Sequence, residues 1–542
     1  MGSIGTPKSG LNFKIRDYED DAKATQSHYT TSNGVKMPHP YEAQRIGENG
    51  PLLLQDFHLI DLLSHFNRER IPERVVHAKG SGAHGIFKVT KPLDDICLAP
   101  VFAVEGKETP VTVRFSTVGG ESGSPDAARD PRGFSIKFRT DEGNMDWVYN
   151  NTPIFFLRDP AKFPHFIHTQ KRNPQTHLTG AQDSTAFWDY LSQDPEAIHQ
   201  FMFLMGDRGI PSSYRKMQGY SGHTFKFVNE AGDWKYVQIH LLSDQGVETL
   251  TQEEAGKLPP DSATQDLFEA IEKGDFPSWT VYAQVMSKEE AEENKVNVFD
   301  LTKTWSRKQF PLREFGKLTL NSNPENYFSE IELAAYNPAH LVPGIEPSAD
   351  PVLQSRLFSY PDAHRYRIGS NYQQLPVNQH RVKNAGNFQR DGQMAFYNQG
   401  ARPNYLSSID TITLNKRSVN IDAVHAEYTG NALSYLSTIM KEDFDQPRDF
   451  WTRVLDDGAR ERLTDNISGH MTNCKDPEII RRCIGIFNEV HPDFGAAVAK
   501  KTGCKNPYKG ISELQFLGIR NSLANPQGTN ATNGSQHDGT HS

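Results

Sequence analysis

Three stretches decide the fold: VTVRFSTV (111–118), FSIKFRT (134–140) and TFKFVNEAGDWKYVQIHLL (224–242). Each alternates apolar with polar residues and is rich in β-branched and aromatic side chains, the period-two pattern of half-buried strands. Glu230-Ala231-Gly232-Asp233 interrupts the third with turn residues and predicts a hairpin. These strands read as antiparallel β, and closing them into a barrel would remove their unpaired edges.

Outward from this β region the pattern changes. Residues 52–66 (LLLQDFHLIDLLSHF) have helical spacing, with Leu52, Leu59, Leu62, Leu63 and Phe66 broadly on one side. Residues 1–50 are polar and aperiodic and read as an arm. Residues 184–206 and 251–274 predict helices inserted among the strands. Residues 320–445 are rich in Asn, Pro and Gln, and a structureless run that long inside a compact domain is expected to wrap over something else. Helical periodicity returns over 446–500, and from about residue 523 the tail reads as disordered. The class is therefore α+β. The expected divisions are an arm with a first helix (1–72), a β-barrel with helical insertions (73–325), a wrapping segment (326–445), a helical region (446–505) and a polar tail (506–542).

The 542 residues carry 58 basic and 67 acidic side chains, a net charge of −9, which argues against a dedicated nucleic-acid binder. No apolar run is long enough for a membrane span, and MGSIGTPKSG lacks the apolar core of a signal peptide. Gly2 and Thr6 formally fit an N-myristoylation pattern, but a flexible polar start is the expected reading. The four cysteines, Cys97, Cys474, Cys483 and Cys504, form no CxxC pair, so a reducing compartment is the default. The end Gly-Thr-His-Ser is not the peroxisomal Ser-Lys-Leu, which makes the expectation cytoplasmic, with peroxisomal as the alternative.

One apparent motif fails. Gly80-Ser81-Gly82-Ala83-His84-Gly85 fits GxGxxG after the short β-like run Arg74-Val75-Val76-His77. A dinucleotide site needs a helix to follow, and Ile86-Phe87-Lys88-Val89-Thr90 alternates as a strand instead.

Chemistry-bearing residues gather in 66–82, 113–166 and 355–372. Arg356, Tyr360, His364 and Arg367 span about 80° of one helical face, and Pro361 would remove one backbone bond from that helix. A guanidinium four residues from a phenol favours its ionised form, and a phenolate is one of the few protein ligands for haem iron. Arg114 and Ser116 share a strand face. In a strand Arg74 and His77 would oppose each other, so a bend is needed for both to face one ligand. Asn150-Asn151-Thr152-Pro153, followed by Phe155, Phe156 and Phe163, places an amide donor beside an aromatic wall. Taken singly, each of these has an ordinary structural explanation.

Together they carry a resemblance. FNRERIPERVVHAKG, VRFSTV, RDPRGF, NNTPIFF, RNPQTHL and RLFSYPDAHRYR resemble, in that order, the motifs of monofunctional haem catalases, most closely the small-subunit, haem b type. The resemblance runs from about residue 10 to about residue 505. It implies a catalase fold with an eight-stranded antiparallel barrel, a homotetramer, and disproportionation of hydrogen peroxide to water and dioxygen through a ferryl intermediate. It implies a porphyrin buried inside the barrel. His77, Asn150 and Ser116 would be catalytic, and Tyr360 would bind the metal with Arg356 as its cationic partner. Arg74, Arg114 and Arg367 would hold the haem propionates, and Phe163 would pack on the haem. Val118 and Asp130 would line the peroxide channel. His199, Phe203, Arg208, Trp305 and Gln446 match an NADPH site of some relatives. Gly206, Gln218, Leu242 and Arg307 depart from the mammalian pattern, and Arg307 could replace the cation missing at Leu242. His84 and Ile86 replace aromatic residues frequent in relatives, and Ala363 stands where a Thr is frequent. The rivals are a haem hydroperoxide isomerase, which would carry Thr at the position of Val75 and lack the full C-terminal region, and a haem-less binding protein.

Overall fold

The computed structural model describes residues 28–180, 183–383, 385–396, 399–414, 433–517 and 519–521. Eight antiparallel strands close into a barrel: β1 (Gly80–Val89), β2 (Glu108–Ser116), β3 (Gly133–Arg139), β4 (Asn144–Asn150), β5 (Gly219–Tyr220), β7 (Trp234–Ser243), β8 (Ser278–Met286) and β9 (Arg313–Ser322). Sequential neighbours pair around the ring, and β9 returns to pair with β1. β6 (Phe225–Val228) continues β5 along the same partner, from Gly219↔Leu241 to Val228↔Trp234. β10 (Ile345–Pro347) adds to the free edge of β6. The hairpin expected at 230–233 is present: Asn229 N–H donates to the Asp233 carbonyl at 2.9 Å, and Gly232 takes the left-handed φ of 89° that the turn needs. The sequence 80–85 lies in a strand, as the alternation after it implied.

Period two sorts the side chains. From β2, Val111, Val113 and Phe115 enter the barrel, while Thr112, Arg114 and Ser116 face outward. From β4, Trp147 and Tyr149 enter, while Val148 and Asn150 face outward. The interior is packed with Phe87, Phe102, Phe134, Phe138, Trp147, Trp279 and Phe315, in tilted and edge-on pairs such as Phe138–Trp147 at 4.6 Å. This corrects the expectation of a porphyrin inside the barrel: aromatic rings already fill that volume. Outward residues instead face segments laid over the barrel: Val148 packs with Ala334, Tyr336 and Tyr360, and Ser116 and Arg114 meet residues 77 and 78.

The covering segment that includes Ala334, Tyr336 and Tyr360 carries helix α6 (Pro351–Arg367). Among the helices before it are α1 (Phe57–Phe66), α2 (Phe163–His168), α3 (Thr185–Gln193), α4 (Ile198–Met205) and α5 (Ser262–Glu272). Asp350 caps α6 by accepting from Val352 N at 2.9 Å and Leu353 N at 3.0 Å. The same carboxylate bonds His223 at 2.6 Å, which fixes the helix start to the barrel rim. The helix runs through Pro361. The C-terminal helices α7 (Asp457–Met471), α8 (Pro477–Val490) and α9 (Pro492–Thr502) pack on α3 and α4 through a second core that includes Trp188, Phe201, Ile467, Ile484, Phe487 and Phe494.

Two further expectations are corrected. Helix α1 starts at Phe57, where Asp56 accepts from Leu59 N at 3.0 Å; Leu52 lies before it, and Leu62, Leu63 and Phe66 are exposed on the single chain. Residues 74–77 are not a strand. His77 has a φ of 63°, a left-handed backbone that ends any extended run there. The Gly2 and Thr6 pattern and the tail from residue 523 lie outside the described residues.

Among the described residues no helix is long and apolar enough to cross a membrane.

Candidate functional site

The left-handed turn at His77 supplies the bend that Arg74 and His77 required. Three hydrogen bonds hold it. His77 N–H donates to the Val118 carbonyl at 3.1 Å, and Arg114 donates from Nη1 to the His77 carbonyl at 2.9 Å and from Nη2 to that of Ala78 at 3.1 Å. The imidazole is thereby aimed back over the barrel surface, with Nδ1 hydrogen-bonded to Ser116 Oγ at 2.8 Å. Ser116, Gly133 and Asn150 are register partners across β2, β3 and β4. The ring lies over the middle one: a Cβ on Gly133 would come 2.7 Å from His77 Nδ1. An imidazole and a half-buried amide therefore share one patch, flanking a glycine.

Burial drives the His77 imidazole down to about 3, helped by the charges of Arg114, Arg356 and Arg74. The ring is neutral at physiological pH and able to accept a proton. An aromatic wall stands beside it. Phe155 and Phe163 stack at 6.3 Å, and Phe163 and Val76 adjoin the same cluster. Val118 and Gly119 donate backbone N–H groups to Asp130 Oδ2 at 2.5 and 2.7 Å. Burial pushes the Asp130 carboxyl up despite the nearby charge of Arg132.

Opposite, α6 presents Arg356 and Tyr360. Arg356 Nη2 donates to the Tyr360 hydroxyl oxygen at 2.9 Å and to the Val148 carbonyl at 2.7 Å, and the guanidinium lies 4.9 Å from the phenol ring centre. Val148 is two residues from Asn150 on the outer face of β4, about 7 Å along the strand. One strand thus ties the Tyr360 side to the His77 side. His364, on the same helix face, donates from Nε2 to the Tyr336 carbonyl at 2.7 Å.

Between the two sides lies a cluster of arginines. Arg74 donates to the carbonyls of Glu332 (2.8 Å) and Ala334 (3.0 Å), and its Nη1 pairs with Glu332 Oε1 at 3.3 Å. Arg367 pairs closely with the same carboxylate oxygen and donates to the Pro72 carbonyl at 2.8 Å. Arg114 completes the set. Burial and the charges of Arg114 and Arg367 press Arg74 downward, but a guanidinium stays protonated throughout the physiological range. Three guanidiniums against one carboxylate leave two positive charges. Buried Arg114 Nε and Arg367 Nη1 have no hydrogen-bond partner among the described residues. Such donors suit a ligand carrying two carboxylates. A haem offers these, together with an axial position that a tyrosine oxygen can fill, so the residues present fit that group.

The structure brings His77, Ser116 and Asn150 onto one patch and pairs Arg356 with Tyr360. It gathers Arg74, Arg114 and Arg367 around Glu332 and sets Phe163 in the aromatic wall. Sequence reading missed Gly133, although RDPRGF contains it, and missed Val148 and Glu332 altogether. Glu332 lies in the aperiodic stretch, where no repeat marks a functional side chain. Among the described residues no group of three or more His, Cys, Asp and Glu side chains could hold a metal ion.

Comparison with known proteins gives a concordant result. The family model described as Catalase matches residues 30–411, and one described as Catalase-related immune-responsive matches 438–502. The chain is 53% identical over 488 residues to the peroxisomal catalase of Candida albicans, covering 89% of this chain and 99% of that one. It superimposes with a TM-score of 0.85 on catalase A from Saccharomyces cerevisiae at 50% identity, covering 88% of this chain and 99% of that one. The crystal structure of a fungal catalase gives the same TM-score at 51% identity, with 88% and 96% covered. With the barrel, the paired Arg356 and Tyr360 and the patch formed by residues 77, 116 and 150 already in place, these matches establish that the chain belongs to the catalase family.

Proposed function

We propose that His77 and Asn150 act on hydrogen peroxide and that Tyr360 would hold the iron of a haem b. The chain disproportionates hydrogen peroxide, two molecules giving two of water and one of dioxygen, as its family does. The observation that carries the assignment of residues is the pairing of a neutral, Ser116-bound imidazole with a Tyr360 hydroxyl gripped by a cation across the same outer barrel face.

Haem iron, when bound, supplies the exchange of two electrons by which one peroxide is reduced and the next oxidised. The side chains do the rest. His77, neutral because it is buried, takes a proton from one peroxide oxygen and returns it to the other, so that water can leave. The Ser116 hydrogen bond fixes the ring orientation that this transfer needs. Asn150 donates from its amide to the peroxide and to the departing oxygen. Arg356 donates to the Tyr360 oxygen and sets a cation beside the atom that would hold the iron. Arg74, Arg114 and Arg367 hold the two propionates through donors such as Arg114 Nε and Arg367 Nη1. Phe163 closes the apolar face above, and Val118 with Asp130 narrows the approach for peroxide.

The small-subunit type is the one that the motifs resemble, and the two family models match residues 30–411 and 438–502. A homotetramer would cover apolar side chains that the single chain leaves exposed, among them Phe66 (67%), Phe358 (74%) and Tyr366 (73%). Peroxisomal residence is supported by the name of the Candida relative; the expectation of a cytoplasmic protein has no such support. NADPH remains a second proposed cofactor. Phe203 stacks on Phe450 at 4.7 Å beside His199, and Gln446 is bonded to Thr304, next to Trp305. Arg307 lies close enough to help depress His240, two strand positions from Leu242, where its charge can serve in place of the missing lysine.

A visible spectrum of the purified protein, with an oxygen-electrode trace on adding peroxide, tests this reading. A Soret band with rapid oxygen evolution is expected. His77→Ala should keep the band and lose nearly all turnover, and Tyr360→Phe should lose most of the haem. Full activity in either variant would refute that residue's role.

A further inference from the structure

The stretch 326–334 contributes one side chain that the roles above leave unused. Its docking on the barrel is regular. Tyr327 donates its hydroxyl to the Gly80 carbonyl at 2.7 Å, Ile331 packs where a Cβ on Gly82 would come within 2.7 Å of its Cδ1, and His84 Nε2 bonds Glu330 at 2.7 Å. Residues 80, 82 and 84 are alternate positions on the outward face of β1, so three consecutive outward sites hold the segment in register. Glu332 follows immediately.

Glu332 engages two guanidiniums twice each. Its carboxylate pairs with Arg74 and Arg367, and its carbonyl accepts from Arg74 Nη2 at 2.8 Å and Arg367 Nη2 at 3.2 Å. These contacts occupy Nη2 of Arg367 and leave Nη1 buried without a partner. Burial would raise the Glu332 carboxyl, but the charges of Arg74, Arg367 and Arg114 outweigh it and hold the group ionised.

We propose that Glu332 is a positioning residue that sets which donors of Arg74 and Arg367 face the ligand's carboxylates and lowers the cluster to the two positive charges that a dicarboxylate neutralises. Three guanidiniums without this counter-charge repel one another, and long side chains without an anchor spread over several rotamers. Glu332 acts through the arginines and touches no reacting atom. The inference rests on the haem reading, because it assigns the two carboxylates to haem propionates.

The test uses the holoenzymes of wild type, Glu332→Gln, Arg367→Gln and the double variant. It measures transfer of haem to excess apomyoglobin, with melting temperature and propionate-bending resonance Raman bands followed in parallel. Glu332→Gln is expected to release haem about tenfold faster with shifted propionate bands, and the double variant is expected to release it no faster than Arg367→Gln alone. Glu332→Asp, which keeps the charge on a shorter stem, should fall between wild type and the Gln variant and serves if Glu332→Gln does not accumulate. Wild-type release and wild-type propionate bands in Glu332→Gln would overturn the proposal. So would a double variant whose effect is the product of the single effects, because Glu332 would then act independently of Arg367. A wild-type protein with no Soret band would instead sink the haem reading itself, and this inference with it.

Discussion

His77 occupies the space that a side chain on Gly133 would need. A Cβ at residue 133 would lie 2.7 Å from His77 Nδ1 and would also collide with the Ser116 hydroxyl. Gly133→Ala must therefore push the imidazole off its serine partner while leaving the β3 ladder free to form. Displacement of a reacting group by about 1 Å costs roughly a hundredfold in rate. We expect Gly133→Ala to fold and bind haem and to evolve oxygen about a hundredfold more slowly, read on an oxygen electrode at equal haem concentration. Near-normal turnover would show that the ring does not need this seat.

Arg356 joins Tyr360 to the barrel by donating to both the phenol oxygen and the Val148 carbonyl. Arg356→Leu removes the cation and leaves the carbonyl unpaired. Haem retention should weaken about tenfold, measured as Soret absorbance per subunit after exhaustive washing. Arg356→Lys keeps a charge and loses the forked donor, so it should fall in between. Equal haem content in all three proteins would count against a role for the cation.

Acid should act on stability before it acts on chemistry. Burial drives His77 and His199 down to about 3, and His240, His364 and His470 to about 4, from a usual 6.5. Below 6.5 the unfolded chain takes up protons that the folded chain refuses. Stability is therefore complete above about 6.5 and is lost as the pH falls toward 4, by about 1.4 kcal/mol per unit for each such ring. The melting temperature should drop steeply across that window, while kcat/KM of the intact enzyme stays flat from about pH 5 to about pH 8. A melting temperature that ignores pH would refute the buried-neutral assignment.

Asp443 anchors the start of the C-terminal region to the barrel side. Its carboxylate bonds Arg158 at 2.6 and 3.1 Å and Lys303 at 2.6 Å; Asp300 shares both cations and Glu196 shares Arg158. Burial alone would raise the Asp443 carboxyl, but Arg158 and Lys303 outweigh it and hold it at about 2. Asp443→Asn leaves buried cations undercompensated, a loss of about 3 to 5 kcal/mol. The melting temperature should fall, and limited proteolysis should cut near residues 438–456 sooner than in the wild type. An unchanged digestion pattern would exclude the network as the anchor.

What could be read from the sequence was local. Strand alternation gave β2, β3 and the β6–β7 hairpin, because each is defined by its own period of two. The strand at 80–89 could be told from a nucleotide loop because residues 86–90 alternate. Arg356 and Tyr360 could be paired because one helical turn separates them. Contacts between distant segments were not legible: Arg74 meets Glu332 across 258 positions, and no periodicity records that. Nor could alternation reveal the left-handed backbone of His77, which breaks the extended run suggested by Arg74-Val75-Val76. The barrel's filled interior followed from the sizes of its inward residues, Phe87, Phe134, Trp147 and Trp279, once closure set them opposite one another.

Because the barrel is solid and the site lies on its outer wall, the chain needs no cofactor to complete its first core. Strands β1 to β9 end at Ser322. The lid residues Ile331–Ala334 and the Tyr360 helix come afterwards and must return some 260 residues to reach Arg74. Such distant closures are slow relative to local pairing. Haem capture is therefore expected to come late in assembly, with the barrel finished before the covering segment lies down over the ligand.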